Sequence, residues 1–363
     1  MEMRKKFDEI FEDCTKLGTK IKTDEYHSNG KHPIIDQGQE MVAGFTDLED
    51  GLLDAVPAIV FGDHTRIIKY VDCPFFLGAD GVKVLRSKVP NANYRYLYYA
   101  LKNAKIPNTG YNRHYKWLKE LEIEYPPIDQ QVKTVKVLDK VESIIYNRQN
   151  QLQKLDELVK ARFVEMFGGI HDSSLYPYVP VKELTHVISG GTPSRDVLEY
   201  WCDGTIPWVK TTELQNKIIT EVDEHITSKG LAASSAKIVP PNTTLIAMYG
   251  QGKTRGMTGY LGISASTNQA CACILPSPEI NSVYIWKYFE LSYDKLRNMA
   301  KGGNQPNLNG NMIKNFPVLV PPIKRQEEYV QFVNQVDKSK VAVQKSLDEA
   351  QLLFDSLMQH YFG

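Results

Sequence analysis

The sequence contains one long segment twice. Residues 126–168 recur without insertion as residues 321–363, displaced by 195 positions (321 − 126 = 195). Each copy begins with Pro-Pro-Ile, carries a glutamine three residues after the isoleucine (Gln131 and Gln326), and ends in Phe-Gly. The stretches that precede the two copies differ strongly. Because an internal repeat constrains architecture more than any local motif, we expect two unlike domains, each followed by the same element.

The repeated element has the pattern of a long helix. Its apolar residues recur at steps of three and four, which keeps them on one stripe, and a Pro-Pro pair suits a helix entrance. Roughly 38 helical residues at 1.5 Å each would extend for about 57 Å. Two matching stripes in one chain predict an intramolecular antiparallel coiled coil; the alternative is that each helix packs separately against its own domain. The residues predicted to pack between the helices are Leu138, Val141, Ile145, Leu152, Leu155, Val159, Val333, Val336, Val343, Leu347, Phe354 and Leu357.

The stretches before the repeats both predict a mixed α+β domain. Runs of β-branched residues at 58–61, 81–85, 245–249 and 270–275 predict strands, and aromatic helical stretches follow at 94–102 and 283–296. The order of motifs is distantly similar in the two stretches, which indicates a pseudo-two-fold internal repeat of one fold. The predicted parts are a first domain (1–125), a first repeat helix (126–168), a second domain (169–320) and a second repeat helix (321–363).

The composition excludes several classes of protein. A hydrophobic content of 42% and a charged content of 24% are typical of soluble globular proteins. No run of about 18 apolar residues is present, and no apolar stretch follows the charged N-terminus, so we expect no membrane association and a cytoplasmic location. The five cysteines form no CxxC pair, which favours reduced thiols. Lys+Arg and Asp+Glu both number 43, so any basic surface must be local.

Several short motifs resemble those of one protein family. They lie at residues 35–39, 61–66 and 78–81 in the first domain, and at 188–193, 206–212, 249–255, 267–269 and 307–309 in the second. With the two Pro-Pro-Ile repeats, they make the chain resemble the specificity subunits of type I restriction-modification systems over essentially its whole length. The resemblance implies two target-recognition domains for double-stranded DNA. It also implies two modification subunits and restriction subunits as partners.

A glycine-rich segment in the second domain, residues 250–254, superficially matches a phosphate-binding loop. The pattern GxxxxGK[ST] would need a glycine where Ala247 stands, so ATP binding is not predicted. Glycines would instead let the backbone approach DNA closely, with Lys253 suited to a phosphate and Arg255 to a guanine edge. The alternative is a surface loop with solvated charges.

Other polar segments are candidates for DNA contact. Residues 63–66 are a shorter counterpart of the glycine-rich segment, and residues 111–114, which include His114, hold the same place before their repeat as residues 305–309. Amides and arginines read adenine and guanine, although the same residue types also build turns. The predicted DNA-binding residues are His64, Thr65, Arg66, Tyr111, Asn112, Arg113, Lys210, Thr211, Thr212, Gln251, Lys253, Thr254, Arg255, Gln305 and Asn307.

The sequence shows no catalytic set. An Asn/Asp-Pro-Pro-Tyr/Phe tetrapeptide, a glycine-rich methyl-donor motif, a paired-acid nuclease core and metal-ligand spacings are all absent. We therefore expect a non-catalytic chain without a cofactor. By the resemblance, S-adenosylmethionine would belong to the modification subunit, which methylates adenine, and ATP to the restriction subunit. Unlike domains predict an asymmetric two-part DNA site. The alternative function is a coiled-coil scaffold with two protein-binding domains and no nucleic acid.

Overall fold

The computed structural model describes residues 4–78, 80–300 and 307–363. The chain divides into two compact units. The first unit comprises the residues up to Asn150 together with Gln344–Gly363, and the second comprises Gln151–Val343. Because the boundaries fall within the two long helices, each helix contributes one part to each unit.

Among the residues that the structure describes, the first unit contains three small sheets. An antiparallel sheet has the strand order β2-β8-β5-β6, a second has the order β4-β3-β7 with β3 parallel to β7, and β1 pairs with β9. The elements are β1 Arg4–Lys6, α1 Phe7–Ile10, β2 Phe11–Asp13, β3 His32–Ile35, β4 Gly44–Thr46, β5 Ala58–Gly62, β6 Ile68–Val71, β7 Phe76–Leu77, β8 Val82–Ser87, α2 Tyr94–Lys102, α3 Tyr115–Lys119, β9 Glu122–Glu124 and the first part of α4 Ile128–Phe167.

The second unit repeats this topology with one strand added. Its sheets have the orders β11-β18-β15-β16-β13, β14-β12-β17 and β10-β19, and the added β13 is parallel to β16. The elements are β10 Tyr178–Pro180, α5 Val181–Leu184, β11 Val187–Ser189, β12 Ile206–Val209, β13 Lys217–Ile219, β14 His225–Ile226, α6 Ser228–Ala232, β15 Thr244–Ala247, β16 Thr258–Leu261, β17 Ser266–Thr267, β18 Cys271–Ile274, α7 Ser282–Leu291, α8 Tyr293–Met299, α9 Gly310–Lys314, β19 Pro317–Leu319 and α10 Ile323–Phe362. The predicted α+β fold with an internal repeat is therefore confirmed.

The central strand of each unit is buried along its whole length because it separates two cores. Ile59 and Phe61 of β5 belong to the core that includes α2, whereas Ala58 and Val60 belong to the core formed with Ile35 and Leu77. Side chains alternate between the faces of a strand, so a strand covered on both faces loses the usual polar alternation. The strand β15 shows the same division, since Ile246 enters one core and Leu245 and Ala247 enter the other.

The two long helices pack against each other in opposite directions. In the first unit, Leu138 and Val141 from the beginning of α4 share a core with Phe354 and Met358 from the end of α10. In the second unit, the end of α4 meets the beginning of α10, where the hydroxyl of Tyr329 donates to the main-chain oxygen of Val159 at 3.4 Å. The predicted antiparallel pairing is confirmed.

The predicted packing residues fall into two groups by exposure. Those that are buried are Leu138, Val141, Val159, Val333, Val336, Val343 and Phe354. Those that are half-buried are Ile145, Leu152, Leu155, Leu347 and Leu357. The helices also pack on their own domains, because Phe354 contacts Tyr99 of α2 and Phe163 contacts Tyr284 of α7. Pairing between the helices and packing against the domains thus occur together.

One predicted helix is interrupted. The aromatic stretch 283–296 forms two helices, α7 and α8, with Ser292 at the junction. The buried hydroxyl of Ser292 donates to the main-chain oxygen of Tyr288 at 2.7 Å, which supplies a local partner where the regular helix ends. Within the described ranges, no helix has both the length and the hydropathy that a bilayer span requires.

Candidate nucleic-acid interface

A short turn (residues 63–67) joins β5 to β6 in the first unit. Its first residue, Asp63, is buried and makes three hydrogen bonds to two neighbouring segments. Its main-chain N–H donates to the main-chain oxygen of Gly81 at 2.7 Å. Its main-chain oxygen accepts from the main-chain N–H of His114 at 2.8 Å, and its carboxylate accepts from the main-chain N–H of Tyr115 at 2.7 Å. Arg66 closes the turn at φ 63°, a left-handed conformation uncommon for arginine. The conformation of this turn is therefore set by contacts on several sides.

Gln37 ties the end of β3 to the same turn. Its amide nitrogen donates to the main-chain oxygen of Asp80 at 3.0 Å, and its amide oxygen accepts from the main-chain N–H of His64 at 3.2 Å. Its main-chain oxygen accepts from the hydroxyl of Thr65 at 2.7 Å. The motifs at 35–39, 61–66 and 78–81 thus converge on one glutamine.

The predicted residues of segments 63–66 and 111–113 lie together. The ring of Tyr111 stacks on that of His64 with centroids 4.6 Å apart and planes 8° from parallel. Tyr111 is nevertheless 86% exposed, and Asn112 and Arg113 are also exposed. The guanidinium of Arg66 donates to the main-chain oxygen of Ile106 at 3.3 Å, so its position is tied to the stretch of chain that precedes Tyr111. The first unit therefore presents one cluster of aromatic, amide and cationic side chains.

His114 does not belong to this exposed cluster, contrary to the expectation for the whole segment 111–114. It is 0% exposed, and its Nδ1 lies 2.9 Å from the main-chain oxygen of Asp63 while its Nε2 lies 3.3 Å from the hydroxyl of Thr109. Both ring nitrogens are engaged within the fold. His114 is a buried residue that holds the turn, and it has no face available to DNA.

The glycine loop (residues 250–256) lies within the connection between β15 and β16 in the second unit, at the place that the short turn holds in the first. Gly252 has φ 58° and Gly256 has φ 86°, in the left-handed region that favours glycine. The guanidinium of Arg297 donates to the main-chain oxygens of Gly252 at 2.8 Å and Arg255 at 3.2 Å. The hydroxyl of Tyr293 donates to the main-chain oxygen of Lys253 at 2.7 Å. Helix α8 thus holds three carbonyl groups of the loop.

The predicted side chains of this loop differ in exposure. Gln251 and Lys253 are exposed, whereas Thr254 and Arg255 are half-buried. Sequence reasoning missed Tyr293 and Arg297 because the helical pattern continued through Ser292. A helix break recognised at Ser292 would have made the polar side chains of the following helix, including Tyr293 and Arg297, candidates for supporting the glycine loop.

Lys210, Thr211 and Thr212 follow β12. The Lys210 ammonium lies 3.0 Å from the Glu224 carboxylate and 3.4 Å from that of Asp223. Hydrogen bonding to Glu224 raises the pKa of Lys210, and Asp223 adds to that effect. Thr211 is half-buried and Thr212 is exposed. Lys210 is therefore a cation with carboxylate partners, which sequence inspection could not reveal.

The other second-unit motifs converge beside the end of β12. The main-chain N–H of Asn268 donates to the main-chain oxygen of Val209 at 3.0 Å, and the main-chain N–H of Gly191 donates to the main-chain oxygen of Thr267 at 2.9 Å. The hydroxyl of Thr192 donates to the side-chain oxygen of Gln269. Asn307 is half-buried, and Gln305 lies outside the described residues. Thr192 and Gln269 belong to motifs that the sequence analysis identified, but they are absent from the residues predicted to bind DNA.

The exposed groups of these clusters are suited to hydrogen bonding with DNA. In the part of the chain that the structure describes, no group of three or more His, Cys, Asp or Glu side chains could hold a metal ion. The exposed groups are amides, hydroxyls, cations and an aromatic ring. In protein–DNA complexes, amides, hydroxyls and cations donate hydrogen bonds to base edges and phosphates.

Comparison with known proteins identifies the family. Residues 3–157 and 175–350 match the family model described as "Type I restriction modification DNA specificity domain". The chain belongs to the family of type I restriction-modification specificity subunits. It is 22% identical over 336 residues to the specificity subunit of the type I restriction enzyme EcoR124I/EcoR124II of Escherichia coli, covering 87% of this chain and 82% of that one. It is 27% identical over 165 residues to the MjaIX specificity subunit of Methanocaldococcus jannaschii, covering 43% of this chain and 37% of that one.

Solved structures of specificity subunits show the same fold. The S subunit of a type I restriction-modification system from M. genitalium is similar with a TM-score of 0.59 at 16% identity, over 98% of this chain and 94% of that one. A chain from a structure that addresses complex assembly and conformational transition of the type I system has a TM-score of 0.53 at 15% identity, over 99% and 97% of the two chains. This specificity subunit therefore has two domains that recognise DNA sequence, and the family supports that function over a protein-binding scaffold.

Proposed function

We propose that this specificity subunit recognises an asymmetric two-part DNA site, with each domain reading one half. The DNA-reading groups are the side chains predicted from the sequence, in particular the His64–Tyr111 cluster of the first unit and the glycine loop of the second. The observation that carries the proposal is that equivalent hairpins bear unlike loops. Five residues (63–67) separate β5 from β6, whereas ten residues (248–257) separate β15 from β16.

Differences between the loops extend to their chemistry. The short turn contains Arg66 and His64, and the ring of His64 stacks on that of Tyr111. The glycine loop offers Gln251 and Lys253 at its exposed positions, with Arg255 half-buried beside them. Because base pairs are distinguished by the donors and acceptors on their edges, two such different sets of side chains favour two different half-sites.

Binding in this scheme depends on local charge. The chain has equal numbers of acidic and basic residues, so a general attraction to DNA is absent. Exposed cations such as Arg113 and Lys253 would contact phosphates, which position a protein on DNA without reading its sequence. Groups that contact base edges would then give the complex at the specific sequence a higher affinity than complexes at other sequences.

The chemical steps belong to other subunits in this proposal. Two modification subunits would bind the chain, one for each copy of the repeated helix, and would supply S-adenosylmethionine for adenine methylation. Restriction subunits would supply ATP-dependent steps. The chain itself is proposed to lack catalytic activity and a cofactor, and to act in the cytoplasm. The family, whose members are specificity subunits, supports this division of roles.

The alternative function, a scaffold whose two domains bind proteins, makes a different prediction about salt. Affinity that depends on phosphate contacts falls steeply with salt concentration, whereas affinity across an apolar protein interface changes little. Binding of the chain, with its modification subunits, to duplex DNA at increasing salt separates the two functions. A DNA affinity that is absent at every salt concentration would favour the scaffold.

Sequencing of genomic methylation in strains with and without this gene tests the proposal directly. The expected result is a two-part methylated motif with unlike halves that disappears on deletion of the gene and returns on complementation. A methylation pattern that is identical in both strains would contradict the proposed function.

A further inference from the structure

Two tryptophans anchor a loop beside the candidate interface of the second unit. Trp208 of β12 and Trp201 meet edge to face, with ring centroids 5.0 Å apart and planes at 87°. The indole N–H of Trp208 donates to the main-chain oxygen of Gly191 at 2.9 Å, and the indole N–H of Trp201 donates to the main-chain oxygen of Ser194 at 2.9 Å. The segment that precedes Arg195 is therefore held by both indoles.

Arg195 itself is fixed by the same pair of rings. Its guanidinium lies over the ring of Trp201, 3.7 Å from the centroid, and 4.8 Å from the centroid of Trp208. One guanidinium nitrogen lies 2.5 Å from a carboxylate oxygen of Glu224. The side chain nevertheless remains 51% exposed. An arginine stacked on one face and paired at one edge keeps its remaining N–H donors in a defined orientation.

Glu224 connects Arg195 to a residue already in the candidate interface. One oxygen of its carboxylate pairs with Arg195, and the other lies 3.0 Å from the ammonium of Lys210. Burial raises the pKa of Glu224, but Arg195 and Lys210 lower it by more, so the carboxylate is held in its charged form. Two cations thus share one carboxylate beside the end of β12.

We propose that Arg195 is a specificity-determining residue that reads a guanine edge in the half-site of the second domain. This inference rests on the proposed function. The planar fork of arginine matches the O6 and N7 acceptors of guanine, which is the commonest specific contact in the major groove. A phosphate needs charge more than orientation, and here a carboxylate partly neutralises the charge while the rings fix the orientation. That combination favours a base over a phosphate.

Selection from a library of random duplex DNA tests the assignment, with the full-length chain in complex with its modification subunits. The variant Arg195→Lys keeps the positive charge but loses the fork. The expected result is a loss of about tenfold or more in preference at one base pair of one half-site, with preferences at the other positions retained. The variant Glu224→Gln should weaken preference at the same base pair, because the guanidinium loses its charged partner.

A matched control is present in the same unit. Arg162 of α4 pairs with Glu165 at 2.8 Å and lies 5.5 Å from the ring of Phe332, so it too combines a carboxylate with an aromatic neighbour. Arg162→Lys should leave every base preference unchanged. Tryptophan fluorescence of each variant reports whether the packing of Trp201 and Trp208 is preserved.

Three results would overturn the assignment of Arg195. A uniform loss of affinity over all sequences would make Arg195 a phosphate contact. A loss of the whole half-site with altered tryptophan fluorescence would make it a structural anchor for its loop. Unchanged preferences at every base would remove it from the interface. If the unaltered chain selects no motif at all, the proposed function fails, and this inference fails with it.

Discussion

The hydroxyl of Tyr293 donates a hydrogen bond to the main-chain oxygen of Lys253, with the two atoms 2.7 Å apart. The same hydroxyl accepts from the guanidinium of Arg297 at 3.0 Å, and that guanidinium also binds the carbonyls of Gly252 and Arg255. A loop rich in glycine is costly to order because its unfolded states are numerous. The contacts from α8 offset part of that cost, so under the proposed function Tyr293 and Arg297 would be positioning residues for a DNA-reading loop.

Replacing Tyr293 with Phe should therefore weaken sequence discrimination by the second domain. One hydrogen bond contributes about 0.5–1.5 kcal/mol, so preferences within one half-site should fall by up to about tenfold while the other half-site is unchanged. Selection from a random duplex library measures both halves at once. The matched control is Tyr260→Phe, since the Tyr260 hydroxyl binds the side chain of Asn242 at 2.9 Å at the opposite end of the same hairpin. Equal effects of the two variants would contradict a positioning role.

Arg255→Ala should relax discrimination at one base pair by about 1–3 kcal/mol, as expected for loss of a bidentate base contact. The remaining positions of the motif should keep their preferences. Measurement of affinity for a panel of single-substitution duplexes gives the effect at each position. A uniform loss over the panel would show instead that Arg255 contacts a phosphate.

Lys253→Ala, unlike Arg255→Ala, should weaken binding without changing the preference at any base pair. Because its side chain is exposed and lysine acts as a point charge, we expect a similar loss of affinity for every duplex of the panel. The slope of log affinity against log salt should become shallower by about 1, since one phosphate contact releases about one counterion. An unchanged slope, or a loss confined to one base pair, would contradict a phosphate contact.

Glu142 of α4 should stabilise the first unit in a pH-dependent way. Its carboxylate binds Arg95 at 2.8 Å and Lys102 at 3.0 Å, both on α2. Burial raises the pKa of Glu142, but Lys102, Arg95 and Tyr99 lower it by more, so it lies below the ordinary 4.5. A carboxyl whose pKa is depressed by folding stabilises the fold above its unfolded pKa, and this contribution disappears as the pH falls through the folded pKa.

Urea unfolding of Glu142→Gln checks this prediction. The variant should be less stable than the unaltered chain by about 1–3 kcal/mol at pH 7, and the difference should shrink as the pH falls below about 4.5. Glu165→Gln is the control, because its exposed pair with Arg162 should contribute no more than about 1 kcal/mol. A difference for Glu142→Gln that stays constant down to pH 3 would contradict the assigned role.

The repeat made the long helices and their pairing predictable from the sequence. Glu142 and Asp337 stand at equivalent positions of the two copies (337 − 142 = 195), and each pairs with a cation on the aromatic helix of its own unit: Arg95 in the first, and Lys287, at 3.8 Å, in the second. The stretch 94–102 also forms the predicted helix. The helices follow from periodicity and from local preference, both of which are visible in a single sequence, whereas the two ion pairs were not predicted.

Contacts between distant segments were not predictable. His114 and Arg113 are adjacent and equally polar in the sequence, yet His114 is buried under Asp63 whereas Arg113 is exposed. Likewise, nothing near Arg195 in the sequence indicates that Trp208 and Glu224 lie beside it. Tertiary packing decides which polar residues face outward, and a single sequence carries little signal for it.

The claim that two unlike domains read two unlike half-sites is tested most directly by exchanging residues 169–320 for the corresponding domain of another member of the family. Methylated motifs are then determined by sequencing the genomes of cells that carry each chain with the same modification subunits. We expect one half of the motif to change to that of the donor while the other half stays as it was. A simultaneous change in both halves would contradict it.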